Sequence, residues 1–161
     1  MQVYIMRHGE AVTESLTDAE RPLTQCGKAE SEQMATWLAL QHPQPSLFLV
    51  SPYVRAQQTY QILSETLKLE TTKLTTLSEL TPAGDASVVA DYLHALAMEG
   101  VQEVMIVAHL PLVGYLVSAL CPDEMPPMFS TAGIARIDYD ETHRRGLLLW
   151  QRSPARLDKA V

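Results

Sequence analysis

Short runs of consecutive apolar residues alternate along this chain with longer stretches in which apolar residues return every three or four positions. The first pattern suits a strand buried on both faces, the second a helix with one buried stripe. Val3 to Met6 reads as a buried strand at the very start. A polar segment without periodicity, Arg7 to Pro22, follows as a loop. Thr24 is then placed to cap a helix carrying Ala29, Met34, Trp37, Leu38 and Gln41, which must stop before Pro43. Leu47 to Val50 is a second buried strand, after which Ser51 caps and Pro52 opens a helix striped by Ala56, Tyr60, Leu63 and Leu67.

Lys73 to Leu77 reads as a weaker strand near a sheet edge. Val88, Val89, Tyr92, Leu93 and Leu96 predict a helix that Gly100 ends. Val101 to Ala108 carries the strongest strand signal in the chain and delivers His109 at its carboxyl end. Pro111 opens a helix with Leu112, Val113, Leu116, Val117 and Leu120 on one face, ended by Pro122. Cys121 to Phe129 is irregular and rich in Pro and Met, Ile134 to Tyr139 pairs with Leu147 to Trp150 as a hairpin, and the tail from about Ser153 is expected to be loosely held.

Strands and helices in alternation predict an α/β fold of three layers, α/β/α, with a mostly parallel central sheet and a C-terminal antiparallel hairpin. No repeat, linker or composition break divides residues 1–161, so one domain is expected. Ligands of such sheets bind outside the carboxyl ends of the strands. There the pattern delivers Arg7 and His8 from the first strand, Ser51 and nearby Arg55 from the second, and His109 from the strongest. Glu79 follows the weaker strand on the same side.

Composition narrows the partners. The 161 residues are 47% hydrophobic with a formal net charge of −7, which argues against nucleic acid or an anionic membrane. The apolar start is broken by Arg7 and lacks a leader pattern, and no run is long enough to span a bilayer, so the cytoplasm is the expected compartment. Cys26 and Cys121 lie far apart without metal-ligand spacing and read as small buried thiols. Arginines gathered at one sheet edge are then a local feature that an acidic chain does not explain.

Arg7-His8-Gly9 puts a fixed cation beside an imidazole, with a glycine that lets the backbone turn. Alone, a chance tripeptide in a loop explains it as well. Arg55 and His109 at the same sheet edge supply what a phosphate needs, a second guanidinium fork and a second imidazole. His42, His94 and His143 have no such company: they stand beside a helix-ending proline, within a helix and in a hairpin turn.

Three segments in this order, Arg7-His8-Gly9-Glu10, Ser51-Pro52-Tyr53-Val54-Arg55-Ala56-Gln57-Gln58-Thr59 and Ala108-His109, resemble the histidine phosphatase (phosphoglycerate mutase-like) superfamily. Arg21-Pro22-Leu23-Thr24, Glu79-Leu80-Thr81-Pro82 with Gly84-Asp85, His109-Leu110-Pro111-Leu112-Val113-Gly114 and Pro126-Pro127-Met128-Phe129 extend the resemblance to its SixA-type phosphohistidine phosphatases. The resemblance implies a phosphoglycerate mutase-like fold without a cap domain and no cofactor or metal. It also implies His8 as the nucleophile that becomes phosphorylated, and Arg7, Arg55 and His109 as the groups that bind the phosphoryl oxygens. The cations Arg7 and Arg55 are expected to hold His8 neutral, as attack requires. Glu79 stands at the position of the family's proton donor, but a nitrogen-linked leaving group needs an acid less than an alcohol does, and a surface acid explains it equally. Arg21 is either a further cation at the rim or a solvated loop arginine.

Sugar-phosphate mutases of the superfamily carry an asparagine shortly after the Arg-His-Gly motif and insertions that wall in the substrate. This chain has no asparagine and no length to spare for a lid. An open site suits a phosphorylated side chain on another protein. The expected function is therefore removal of phosphate from phosphohistidine in a signalling or phosphotransfer protein, such as the phosphotransfer domain of a phosphorelay or a carrier of a sugar phosphotransferase system. Two alternatives stand beside it. One is a small-molecule phosphomonoesterase that needs Glu79 as its acid; the other is a phosphate-recognition module without turnover, which would not require an intact nucleophile.

Overall fold

In a computed structural model that describes residues 1–15 and 17–157, six strands form one sheet. They are β1 (Gln2–Arg7), β2 (Leu47–Val50), β3 (Lys73–Thr76), β4 (Glu103–Ala108), β5 (Ile134–Asp140) and β6 (Arg145–Arg152). The order across the sheet is β3-β2-β4-β1-β5-β6; the first four in sequence are mutually parallel, and β5 and β6 run antiparallel. Four helices cover it: α1 (Gln25–Ala39), α2 (Val54–Thr66), α3 (Ala86–Met98) and α4 (Leu112–Leu120).

The chain steps from β1 through α1 to β2 and through α2 to β3, then turns back through α3 to β4. Parallel crossovers are right-handed, so reversing the direction of travel puts α3 on the opposite face from α1 and α2, and α4 packs beside it. Alternating side chains of the buried strands therefore sort into two cores. Val3, Ile5, Leu49, Val104 and Ile106 pack with Val89, Leu93, Leu116 and Leu120 of α3 and α4. Tyr4, Met6, Phe48, Val50, Met105 and Val107 pack with Met34 and Leu38 of α1 and Ala56 and Leu63 of α2. The result is the three-layer α/β/α arrangement expected of the pattern, with β3 at one edge and the hairpin at the other.

Helix boundaries follow the local chemistry with two shifts. Thr24 caps α1, its Oγ1 accepting the Gly27 N–H at 2.9 Å, and Gly100 ends α3 at a φ of 92°. Ser51 does not cap the next helix. The Tyr53 N–H donates to Ser51 Oγ at 3.2 Å, a turn that delays α2 until Val54 and leaves Tyr53 at the N-cap. Pro111 likewise precedes the first helical residue of α4.

Only one of the two cysteines is buried. Cys121 lies in the core, whereas Cys26 is exposed on the solvent side of α1, where its Sγ donates to Glu30 Oε1 at 3.1 Å. That carboxylate pushes the Cys26 thiol up to about 11, far from thiolate reactivity. Of the tail, Pro154–Arg156 form a 3-10 turn and Leu157 packs against the α1 and α2 core, while residues 158–161 lie outside the described residues. No described helix is long and apolar enough to cross a membrane.

Candidate active site

Register decides which side chains meet. Arg7 lies beside Ala108 across β1 and β4, and Val50 lies beside Val107 across β2 and β4. The next residues along, His8, His109 and Ser51, therefore leave the sheet together at its carboxyl edge, where the chain also reverses its direction of travel. The His8 and His109 ring centroids are 4.9 Å apart.

The loop after β1 is drawn down onto α1. A Cβ on Gly9 would fall 2.6 Å from both the Gly27 carbonyl oxygen and Ser31 Oγ. Gly9 is thus required for a close approach, and not, as its place in the motif suggests, for an unusual turn: Gly100 has the positive φ among the described glycines. The Gly9 N–H donates to Thr59 Oγ1 at 3.0 Å, and the same hydroxyl donates to the Arg55 carbonyl at 2.8 Å, tying the loop to the first turns of α2.

His8 is assigned its tautomer by that loop. Its Nδ1 lies 2.6 Å from the Gly9 carbonyl oxygen, which can only accept, so Nδ1 carries the proton and Nε2 holds the lone pair. Arg55 Nε–H donates to that Nε2 at 3.3 Å. Burial, opposed by the Gly9 bond and reinforced by Arg55, Arg7 and Arg21, pushes the His8 pKa down to about 4. The neutral form expected from the neighbouring cations is present, with desolvation as its first cause. His109 is pushed down to about 3, by burial first and by His8 and Arg55 after it.

Arg7 is anchored by donation from Nη1 to the Phe129 carbonyl at 2.8 Å, and burial followed by the charge of Arg55 lowers its pKa. Phe129 is buried although Met125 and Met128 of the same Pro- and Met-rich stretch are 85% and 79% exposed. Arg55 is buried; its Nη1 donates to the Asp18 carbonyl at 2.6 Å and its Nη2 to Asp18 Oδ2 at 3.2 Å, while the Tyr53 ring lies under its guanidinium at 5.0 Å. Arg21 reaches the same rim, donating from Nη1 to Asp18 Oδ1 and from Nε to the Val12 carbonyl, each at 2.7 Å. Partial desolvation pushes the Asp18 carboxyl up, but the hydrogen bonds from Arg55 and Arg21 outweigh it and hold it below the ordinary carboxylate range.

Glu79 is brought elsewhere. It is exposed, accepts from Ser78 Oγ at 3.3 Å and lines a cleft of about 170 Å³ with Leu77, Val88, Val89 and Tyr92. No hydrogen bond joins it to Arg7, His8, Arg55 or His109 among the described residues. His94 pairs with the Tyr139 hydroxyl and His143 with Asp140, away from the site. Asp18, the Phe129 carbonyl and the inward turn of Ser51 escape a reading of the sequence. Asp18 sits in a loop without periodicity, and its only local signal is Arg21 three residues on. No three His, Cys, Asp or Glu side chains gather as metal ligands among the described residues.

Comparison with known proteins identifies relatives of this chain. The family described as the histidine phosphatase superfamily (branch 1) matches residues 3–84. The phosphohistidine phosphatase SixA of Escherichia coli is 48% identical over 160 residues, 99% of this chain and 98% of that protein. The phosphohistidine phosphatase SixA homolog of Haemophilus influenzae is 39% identical over 161 residues, 96% of this chain and 97% of its own. A structure of the protein histidine phosphatase SixA complexed with tungstate superposes with a TM-score of 0.93 at 48% identity, covering 98% of this chain and 99% of that one. A phosphoglycerate mutase of Bacillus anthracis shares the fold, with a TM-score of 0.73 at 15% identity over 98% of this chain and 95% of its own. A family match that reaches from β1 beyond β3, and a relative aligned along almost the whole length at 48% identity, place the chain in the histidine phosphatase superfamily.

Proposed function

We propose that this protein removes the phosphoryl group from phosphohistidine on a partner protein, by way of a covalent phosphohistidine at its own His8. One observation carries the reading. A buried neutral imidazole, with its Nε2 lone pair unprotonated, shares a small volume with two guanidinium groups and a second imidazole.

In the first step the His8 Nε2 lone pair attacks phosphorus, the P–N bond to the substrate imidazole breaks, and that imidazole leaves with the electron pair and takes up a proton from solvent. Water then attacks phosphorus, the P–N bond to His8 breaks, and Nε2 recovers its lone pair as inorganic phosphate leaves with the surplus proton shared between it and solvent. In the free protein Arg55 Nε–H covers the Nε2 lone pair. An arriving phosphoryl oxygen takes over that N–H and uncovers the nucleophile. Arg7, Arg55 and His109 then hold the charge on the equatorial oxygens, so positioning and electrostatics supply the catalysis. The phosphoryl charge also favours the protonated form of His109 that burial, His8 and Arg55 otherwise disfavour, although the neutral ring already has one N–H to donate.

Two features support a protein substrate. The E. coli and H. influenzae relatives, named as phosphohistidine phosphatases, align along nearly their full lengths. A cleft of about 340 Å³ shares Phe129 with the site and is lined by Arg152 and Arg156, an accessible cationic flank on an acidic chain. The partner class is a phosphotransfer domain or a phosphotransferase-system carrier, met in the cytoplasm by residues 1–161 acting as a single domain. The test mixes the protein with a phosphohistidine protein and a phosphoserine control, measuring released phosphate and acid-labile phosphate trapped on the enzyme. Release from phosphohistidine alone, with trapping lost in His8→Ala, is the expected result; full activity in His8→Ala would overturn the assignment.

A further inference from the structure

His109 Nε2 and Ser51 Oγ meet at 2.7 Å, in a pair where the histidine is 1% exposed and the serine not at all. The other ring nitrogen, Nδ1, is buried without a partner among the described residues. A neutral imidazole carries one ring proton, and its position decides whether Nδ1 offers an arriving oxyanion a donor or a second lone pair. We infer that Ser51 is the positioning residue that keeps the His109 proton on Nδ1, so that the ring presents an N–H to the phosphoryl group on His8.

The hydrogen-bond inventory of Ser51 supports this arrangement over its reverse. Its Oγ already accepts the Tyr53 N–H at 3.2 Å, and among the described residues its hydroxyl proton has one nitrogen to go to, His109 Nε2. With Oγ–H donating to Nε2, both Ser51 groups and Nε2 are satisfied, and a single N–H at Nδ1 is left waiting. With Nε2–H donating to Oγ, the serine proton and the Nδ1 lone pair are both stranded in the interior, each at a desolvation cost. The first arrangement leaves one orphan and the second leaves two.

The remaining orphan has a companion. Among the described residues Arg7 Nε is the other buried side-chain nitrogen or oxygen without a partner, and a guanidinium N–H can only donate. Two unsatisfied donors beside His8 await one acceptor, and an oxyanion bound to His8 Nε2, 4.9 Å from the His109 ring by centroids, is that acceptor. Ser51 is free for this task because its side chain turns inward and leaves α2 to begin at Val54 without a side-chain cap.

The assignment of the proton stands on the geometry alone; its kinetic consequence rests on the phosphatase reading. In ¹⁵N-labelled protein near neutral pH, His109 is expected to show a protonated Nδ1 and an unprotonated, hydrogen-bonded Nε2, and in Ser51→Ala the proton is expected to redistribute toward Nε2. Tungstate, a phosphate-like oxyanion, serves as the binding probe. Ser51→Ala is expected to bind it about tenfold more weakly and to lose kcat/KM on a phosphohistidine protein by a similar factor, and Ser51→Thr, which keeps the hydroxyl, to recover both. A His109 that carries its proton on Nε2 in the unsubstituted protein overturns the inference, whether or not either variant folds. So does a folded Ser51→Ala that binds tungstate as tightly as the parent. Nδ1 protonation with no turnover of any phosphohistidine protein would keep the inference and reject the function.

Discussion

α3 and α4 bury nothing but apolar side chains and one glycine against their face of the sheet: Val89, Leu93 and Ala97 from the first, Leu112, Val113, Gly114, Leu116, Val117 and Leu120 from the second. α1 and α2, on the opposite face, bury Ser31, Arg55, Thr59 and Ser64 among their apolar residues. One layer packs and the other layer also carries the site. The difference shows in α2, where Tyr60 and Leu67 of the expected stripe are only half-buried while Thr59 and Ser64 are buried. A buried hydroxyl is tolerated when both its donor and its acceptor capacity are used, as Thr59 does between Gly9 and Arg55. Polar groups inside that layer are thus structural parts of the site, and the same substitution should have different consequences on the two faces.

The sharpest break of the comparison is Arg55→Lys. An ammonium cannot donate to His8 Nε2 and make both Asp18 contacts with the guanidinium's fixed fork, so kcat/KM on a phosphohistidine protein should fall about a hundredfold or more, roughly 3 kcal/mol of transition-state stabilisation, with the melting temperature little changed. Leu116→Ala in α4 should do the opposite. Removing a fully buried leucine should cost about 3 kcal/mol in urea unfolding while turnover per folded molecule stays at the parent value. A loss of turnover at unchanged stability would show that the two layers are not divided as described.

Acid acts on the layer that carries the site. His8 and His109 stay neutral in the folded protein down to about 4 and about 3, but take up protons near 6.5 once unfolded. Below pH 6.5 the unfolded chain therefore binds more protons, so stability is fully present above that value and declines as pH falls toward 4. The slope is about 1.4 kcal/mol per pH unit for each histidine. Urea midpoints between pH 6.5 and 4 should fall less steeply in His109→Gln than in the parent. Glu79→Gln is expected to have the smallest effect, within about twofold in turnover of phosphohistidine, because its side chain lies among Leu77, Val88 and Tyr92 and not beside His8. A complete loss of activity there would favour the small-molecule esterase reading with Glu79 as acid.

Where burial alone sets the pattern, the sequence was a good guide. The helices of the α3 and α4 side form where their apolar spacing puts them, although Val88 and Tyr92 of the expected α3 stripe are exposed, and the alternation of strands with helices implied the layers. The departures come where a polar side chain has a distant partner. Ser51 reads locally as a cap because a serine before Pro52 usually serves one; His109, 58 residues away, claims its hydroxyl instead. Cys26 reads as buried from its residue type, but the face of α1 it occupies is turned to solvent.

The sequence by itself determined the order of elements and the gathering of Arg7, His8, Arg55 and His109 at one sheet edge, since hydrophobic periodicity and chain order are local properties that record burial and direction. Only the tertiary structure decided which His8 nitrogen keeps its lone pair and which group covers it, and it also placed Asp18 between Arg21 and Arg55. The first depends on a bond between neighbours, His8 Nδ1 and the Gly9 carbonyl, in a loop docked on α1, and the others on hydrogen bonds spanning 47 residues from Arg55 to His8 and 37 from Arg55 to Asp18. A hydrogen bond is directional and short, and which donor finds which acceptor is settled only when the sheet register brings them together.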